Sequence, residues 1–448
     1  MIGVDGQAMN RFQQKIELRD GEALFQVGGS VRDRLLGRTP ADVDGVLLTP
    51  DPEGAGGRLT QAGLAPVVGR NGGRAWRGRG IDLTVWPREP GQPVEEALRH
   101  EALQRDFTLN ALYSRWGIEE VIDPLGGQAD LRRGIVRATG AGALVRDPVR
   151  VLRLARLASG LDFQVDPATL AWARAVDPGL AAGERVGREV LAWLTQSAAP
   201  GKGLDLWADS GAIRAIPEVA ALQGVAQRAD YHPEGDVWIH TGQVLDRAAQ
   251  LGQGLERGAL GVLMLSALFH DVGKAITTRW ELGRWRAHGH EAVSRDLTQS
   301  RLKGWGLGNR VVGWTVRLVA DHGRPMALAR DGASLTGWWR LLDGHPCPEL
   351  LFLLAQADSQ GRVAAGEGEP SPPLFTAGMP FRAALDRWGQ IPMLSGGHLL
   401  AAGVRPGPAV GRGLTLLRRA AFLGRWREGE PIAPLLRQAG LLAGRAKG

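Results

Sequence analysis

The pair Asp42-Val43-Asp44 has the spacing of a metal-ion clamp. On a strand, residues two apart face the same way, so both carboxylates can hold the same hard cations. Two magnesium ions gripped there can activate an attacking hydroxyl and clamp a triphosphate for in-line displacement. The competing reading is a solvated strand end in a polar turn. Upstream, Gly28-Gly29-Ser30-Val31-Arg32-Asp33 lies between an apolar run and a basic one. Glycines let the backbone turn tightly there, N–H groups at a helix start favour an anion, and Arg32 adds a charge-assisted phosphate contact. Asp82, between Ile81 and Leu83, is a candidate third catalytic carboxylate on a neighbouring strand. Its alternative is a single charge on an exposed strand face.

A second set lies downstream. Six of the nine histidines fall between His232 and His322. His240 sits in a predicted helix, His270-Asp271 ends an apolar helix before Val272-Gly273-Lys274, and Asp358 sits in a later helix. Imidazole and carboxylate groups from separate helices make a mixed nitrogen and oxygen site for a divalent transition metal. Such a metal lowers the pKa of bound water for phosphoester hydrolysis. His288, His290 and His322 read as supporting or phosphate contacts, or as ordinary core and surface histidines.

The elements that must position these groups follow from periodicity. Residues 23–27 (ALFQV), 43–48 and 81–86 (IDLTVW) predict strands, and 31–36 a basic helix. With Gly-rich connections around 53–57 and 71–80, this alternation predicts an α/β or α+β unit ending near Arg137. After Asp147, Val151, Leu152, Leu154 and Leu157 recur at helical spacing among Arg150, Arg153 and Arg156, and helices dominate onward. The segment 364–374 (AAGEGEPSPPL) reads as a linker.

Composition narrows the classes. A chain of 448 residues, 44% hydrophobic and 23% charged, is long enough for two or three cores. Formal charge is +7, yet Phe381 to Gly448 alone holds 11 basic residues against 3 acidic ones. The lone Cys347 excludes a disulfide framework and a cysteine-based zinc site. No secretory signal is expected at the N-terminus, and the apolar run from Gly258 to Phe269 is too short to span a bilayer. A cytoplasmic location and no membrane partner are therefore expected.

In order, the motifs resemble those of class II tRNA nucleotidyltransferases and bacterial poly(A) polymerases. The resemblance begins at Gly28-Gly29-Ser30-Val31-Arg32-Asp33 and Asp42-Val43-Asp44. Arg105-Asp106-Phe107-Thr108-Leu109-Asn110-Ala111 resembles the ribose-recognition segment. Asp123-Pro124-Leu125-Gly126-Gly127 with Asp130-Leu131 resembles the hinge between head and neck. Asp147-Pro148-Val149-Arg150, then Leu152-Arg153 and Arg156, resembles the base-selecting neck helix. The resemblance implies two Mg²⁺ ions on Asp42 and Asp44, with Gly28, Gly29 and Arg32 on the triphosphate. It puts Arg105, Asp106 and Asn110 near the ribose, and makes Asp147 and Arg150 an amino-acid template selecting C and A. A carboxylate accepts from an exocyclic amine while a guanidinium donates to ring acceptors. Asp147 is also a good helix cap ahead of Pro148. Two residues depart from the family pattern, Arg146 for a Glu and Gln104 for an Arg.

The set His240, His270, Asp271 and Asp358 resembles an HD phosphohydrolase domain, which implies Ni²⁺, Co²⁺ or Mn²⁺ and phosphatase or 2′,3′-cyclic phosphodiesterase activity. Residues 390–413 resemble the segment that follows HD domains in bacterial relatives. The expected fold is α+β and multidomain. A palm-like head with a mixed sheet spans 1–137, an all-α neck 138–225, an all-α HD region 226–365 and a basic helical tail 375–448. Only 22 residues separate Asp82 from Arg105, shorter than the loop of enzymes that add the terminal A. The expectation is therefore CC addition from CTP to the tRNA 3′ end, with a separate enzyme adding A. Full CCA addition using CTP and ATP, A addition, a poly(A) polymerase, and an HD phosphohydrolase with an RNA-binding head are the alternatives. Basic residues in neck and tail are expected to grip the RNA backbone.

Overall fold

A computed structural model describes residues 16, 18–40, 43–68, 74–78, 80–116, 118, 120–362 and 380–442. The chain forms two compact units, Met1–Ala220 and Ala221–Gly448. Head and neck share the first; the HD region and tail share the second. Asp42 and the linker 364–374 lie outside the described residues.

The first unit is built on a seven-stranded mixed sheet of order β3-β4-β5-β2-β1-β6-β7. The strands are β1 (Ala23–Val27), β2 (Val43–Thr49), β3 (Ala65–Val68), β4 (Arg74–Gly78), β5 (Ile81–Pro87), β6 (Tyr113–Arg115) and β7 (Val121–Ile122). β2 and β5 run parallel, and every other neighbouring pair is antiparallel. Alternation gives the sheet two buried faces. Val43, Leu47, Ile81, Leu83 and Val85 pack on Ala55 and Leu59 of helix Pro52–Gln61. Phe25, Val27, Val46 and Leu48 pack on Ala97, Leu98 and Ala102 of helix Val94–Ala102.

Register sets the chemistry. Tyr113, Val27, Asp44, Asp82 and Arg77 form one row across five strands. Residues opposite one another in a ladder project from the same face, so Asp44 and Asp82 share the face of helix Val94–Ala102.

The neck begins where the head closes. Ile135–Val136 pairs in parallel with Gln164–Val165, on either side of the long neck helix Val149–Leu161. That helix packs against Gly183–Gln196 and Pro200–Asp209, with Trp193 stacked on Trp207 in the interior.

In the second unit, helices Val237–Leu251, Arg257–Phe269, Asn309–Asp321 and Pro348–Gln360 pack together. The apolar run continues with a short interruption to Thr277, 21 residues in all, long enough to cross a membrane by length and composition. It is instead a core helix: Val262 to Phe269 are all buried. One short hairpin, Arg279–Glu281 with Arg284–Arg286, interrupts the helices of this otherwise helical region. Leu282 and Gly283 both have positive φ there, as a tight two-residue turn with strand twist requires. The tail has its own small core of Leu399, Val404, Leu417 and Leu436, leaving Arg405, Arg412 and Arg419 exposed.

At the hinge, Asp123 caps helix Gly127–Arg133 by accepting from Gly127 N at 2.8 Å and Gln128 N at 2.9 Å. A Cβ on Gly127 would stand 2.2 Å from the Thr108 carbonyl oxygen. Gly127→Ala is expected to cost about 2–3 kcal/mol by overpacking two backbones, read as a lower midpoint in chemical denaturation.

Candidate functional site

A cavity of about 710 Å³ opens in the first unit between the sheet and the neck helix. Asp44 and Asp82 line it from the sheet, Arg105 and Asp106 from the segment after helix Val94–Ala102, and Arg150 and Arg153 from the neck helix. The glycine turn meets Asp44 because Val27, one residue earlier, is its ladder partner. Gly28 has φ +78, and a Cβ there would lie 3.5 Å from both Asp44 Oδ2 and Arg105 Nη1. Ser30 Oγ donates to the Val27 carbonyl and ties the turn closed.

Asp82 stands opposite Asp44 in the parallel ladder, as a neighbouring carboxylate should. Its oxygens, however, accept from Arg77 Nε at 2.8 and 2.9 Å and from Nη2 at 2.6 Å. As a metal ligand, Asp82 would have to give up this ion pair. Carboxylate oxygens are the donor set that Mg²⁺ takes, and Asp44 offers one at the cavity wall.

Behind the cavity runs a chain of buried charge. Arg32 donates to Asp33 and, through Nη1, to Asn110 Oδ1 at 2.7 Å. Asn110 Nδ2 donates to Asp106 Oδ1 at 2.9 Å, an oxygen that also accepts from Phe107 N. Arg153 Nη1 donates to Asp106 Oδ2 at 2.8 Å and binds Glu189 with its other two nitrogens. Arg156 completes the chain on Glu189 Oε2 at 2.8 Å. Burial by itself would raise the Asp106 pKa. The charge and hydrogen bond of Arg153, helped by Asn110 and Arg150, overcome it and hold the carboxyl well below the usual range. Burial likewise opposes ionisation of Glu189, and Arg153 and Arg156 hold it low.

The expected template pair lies together, Arg150 Nε 3.8 Å from Asp147 Oδ2, and each residue also has other partners. Arg150 lines the cavity, but its guanidinium donates to the carbonyls of Gln104 at 2.8 Å and of Arg105 and Ala143 at 3.0 Å. Asp147 is outside the lining, and its carboxylate accepts from Arg185 Nη2 at 2.7 Å. Asp147 does not cap the neck helix, whose N-terminus has no side-chain cap. The two departures have backbone roles: Gln104 supplies its carbonyl to Arg150, and Arg146 Nη2 donates to the Leu103 carbonyl at 2.7 Å. Glu101, at the end of helix Val94–Ala102, binds Arg105 through both oxygens and accepts from Tyr113 Oη. The sequence reading missed Glu101; its position four before Arg105, an i,i+4 ion pair, was the signal.

In the second unit His240, His270 and Asp358 meet, all buried. His240 Nε2 lies 3.1 Å from Asp358 Oδ1 and 3.4 Å from His270 Nε2. Asp271 Oδ2 lies 3.1 Å from His270 Nε2. This donor set fits a divalent transition metal. His270 Nδ1 points at the Ala267 carbonyl, 2.8 Å away, so in the neutral ring the proton sits there and Nε2 keeps its lone pair for a cation. Two further residues were not foreseen. Glu234 Oε1 lies 2.8 Å from both His240 Nδ1 and His232 Nδ1. Burial would raise Glu234, but hydrogen bonds from His232 and His240 push it down to about 2. Burial pushes His232 down to about 4. The run His232-Pro233-Glu234, close before His240, was the only local signal.

Residues 85–137 match the poly A polymerase head domain family, and residues 237–360 the HD domain family. A multifunctional CCA protein of Xanthomonas campestris pv. campestris is 33% identical over 433 residues, covering 89% of this chain and 98% of the relative. The chain belongs to the class II tRNA nucleotidyltransferase family. A multifunctional CCA protein of Leptothrix cholodnii is 34% identical over 372 residues, covering 75% and 82%. The Thermotoga maritima CCA-adding enzyme solved with tRNA shares the fold, with a TM-score of 0.62 at 16% identity over 98% of this chain and 97% of that one. As a family member the protein is a tRNA nucleotidyltransferase, with the expected α+β head, helical neck and HD region.

Two variants probe these networks. Asp106→Asn leaves Arg153 buried with Glu189 as its remaining partner, and is expected to cost about 3 kcal/mol, measured by urea unfolding. Because the folded pKa is depressed, the Asp106 contribution is full above its unfolded value. It is lost only as pH falls through the depressed one, so the difference from the parent stays constant between pH 8 and 5. Glu234→Gln is expected to weaken transition-metal binding about 10–100-fold by loosening His240, measured by calorimetric titration of metal-stripped protein.

Proposed function

We propose that the protein builds the whole CCA end of tRNA, adding two cytidines from CTP and one adenosine from ATP. The observation that carries this reading is the likeness to proteins named multifunctional CCA proteins, sustained over 98% of the Xanthomonas relative. It replaces the CC-only expectation, and no separate A-adding enzyme is required. The interval that suggested CC addition holds helix Val94–Ala102, whose Glu101 clamps Arg105 at the cavity wall.

In this reading Asp42 and Asp44 hold Mg²⁺, which supplies charge neutralisation for in-line nucleotidyl transfer. The turn at Gly28 and Gly29 approaches the triphosphate, and Arg32 turns from Asp33 towards it. Arg105, Asp106 and Asn110 bound the ribose; Asp106, fixed by three donors, keeps that wall rigid. Base selection by Asp147 and Arg150 asks both to change partners. Arg150 must trade the Gln104 and Arg105 carbonyls for ring acceptors, and Asp147 must trade Arg185 for an exocyclic amine. Arg153 and Arg156 hold the neck helix in place through Glu189. The exposed tail arginines, Arg405, Arg412 and Arg419, suit the tRNA backbone. The HD region is read as a transition-metal phosphohydrolase for phosphomonoester or 2′,3′-cyclic phosphate RNA ends, on the strength of its buried histidine and aspartate donors. The protein's place of action is read as the cytoplasm.

Transcripts of tRNA lacking CCA, incubated with CTP, ATP or both, test the assignment by product size. Three added nucleotides with both substrates and two with CTP alone are expected; arrest at two with both would return the protein to CC addition. Asp44→Ala should lower extension at least 1,000-fold and leave hydrolysis of a 2′,3′-cyclic phosphate with Ni²⁺ or Co²⁺ intact.

A further inference from the structure

We propose that the hairpin 279–286 is a stacking platform for the unpaired nucleotides of an RNA end, presenting that end to the HD region. This rests on the reading of that region as a phosphohydrolase of RNA ends. Of the chain's 15 tryptophans, Trp280 and Trp285 are the two exposed ones among the described residues, at 60% and 37%. They face each other across the ladder, rings 5.2 Å apart and tilted by 73°. Such an edge-to-face pair stabilises the ribbon. It also leaves much of both rings in solvent, and Leu282 at the turn is 87% exposed. Exposed aromatic surface grouped in this way marks a binding face.

Charge selects the partner. Arg279, Arg284 and Arg286 stand in the same two strands against one acid, Glu281. None of the three arginines is in an ion pair among the described residues. Alternation puts them on the face opposite the tryptophans, but the sheet has only two strands, about 5 Å across. Long guanidinium arms therefore reach round its edges. Bases on the rings with phosphates at the edges match this pattern, because every base has a flat π-face. The loop before helix Val237–Leu251 extends the surface. Tyr231 is 48% exposed, with the Arg228 guanidinium 4.4 Å above its ring. The hydrogen bond from Arg228 chiefly, and in part the charge of Arg284, hold the Asp230 carboxyl low, which sets this loop beside the hairpin.

Placement ties the platform to the buried donors. The hairpin lies in the chain between Asp271 and His290, whose side chains meet at 3.2 Å. Both of its ends are thus anchored at the histidine cluster. Arg286, at the root, has Nη1 3.5 Å from Nε2 of the exposed His288. An RNA strand stacked along the ribbon has its terminal phosphate directed towards that root.

The test reads the two rings directly. Full-length protein carrying fluorotryptophan is titrated with oligouridylate, and the two resonances are assigned by their loss in Trp280→Phe and Trp285→Phe. Both are expected to shift. Trp280→Ala with Trp285→Ala should raise KM about 100-fold for an oligouridylate ending in a 2′,3′-cyclic phosphate. Hydrolysis of 2′,3′-cyclic CMP, which has no neighbouring bases to stack, should be unchanged, and the paired Phe variants should recover most of the KM. Arg279→Gln with Arg284→Gln should flatten the salt dependence of log KM by about 1.4. Resonances unmoved by RNA, or moved only by phosphatidylglycerol vesicles, overturn the platform; so does an equal KM change for both substrates. If neither cyclic phosphate is hydrolysed, the phosphohydrolase reading falls, while shifts with RNA still sustain binding at the hairpin.

Discussion

The buried pair between Asp106 and Arg153 is the constraint on which the first unit depends. Asp106 belongs to the head, four residues after the helix that backs the sheet; Arg153 belongs to the neck helix. Neither charge is tolerable inside the protein alone. Each is paired and hydrogen-bonded on several sides, Asp106 by Phe107, Asn110 and Arg153, and Arg153 by Asp106 and Glu189. The interaction therefore specifies how the neck helix meets the head, and with it where the cavity walls stand. The arginines look like a nucleic-acid stripe in the sequence. In the structure, Arg153 ties Asp106 to Glu189, Arg156 binds the same Glu189, and Arg150 donates to carbonyls at the cavity wall.

The second unit solves the opposite problem. There the buried groups are mostly lone-pair donors. His270, His290 and His322 are each oriented by a carbonyl three residues earlier, a geometry available at a helix end or a turn. Backbone thus aims imidazole nitrogens inward without spending side chains on the task. His240, inside a helix whose carbonyls are already bonded, has Glu234 beside Nδ1 instead. Orientation from behind and convergence in front are what a cation site requires.

Charge distribution reads differently once partners are visible. Asp82, Asp147 and Glu101 each have an arginine partner within the first unit. Rearrangement at the cavity therefore means exchanging one ion pair for another. That keeps the cost of a bound nucleotide's charge low, because a cation released from a carboxylate is at hand to meet a phosphate or a base.

Much of this was legible in the chain. Alternation marked β1, β2 and β5 to within a residue or two, glycines marked the turn beside Asp44, and the order of short motifs pointed to the family. His240, His270-Asp271 and Asp358 stood out because histidine and aspartate at the ends and faces of apolar helices are rare without a purpose. These signals are local, depending on residues within a turn or a strand of each other. Partner choice is not local. Asp106 finds Arg153 across 47 positions, His240 finds Asp358 across 118, and His290 finds His322 across 32. Strand register put Arg77 on Asp82, and helix packing put Arg185 on Asp147. Packing also gathered His290 and His322, expected only as supporting contacts, around Asp271. The sequence determined which groups were present and on which elements. Only tertiary structure decided which of them meet, because register and packing angle are set by the whole core rather than by any one segment.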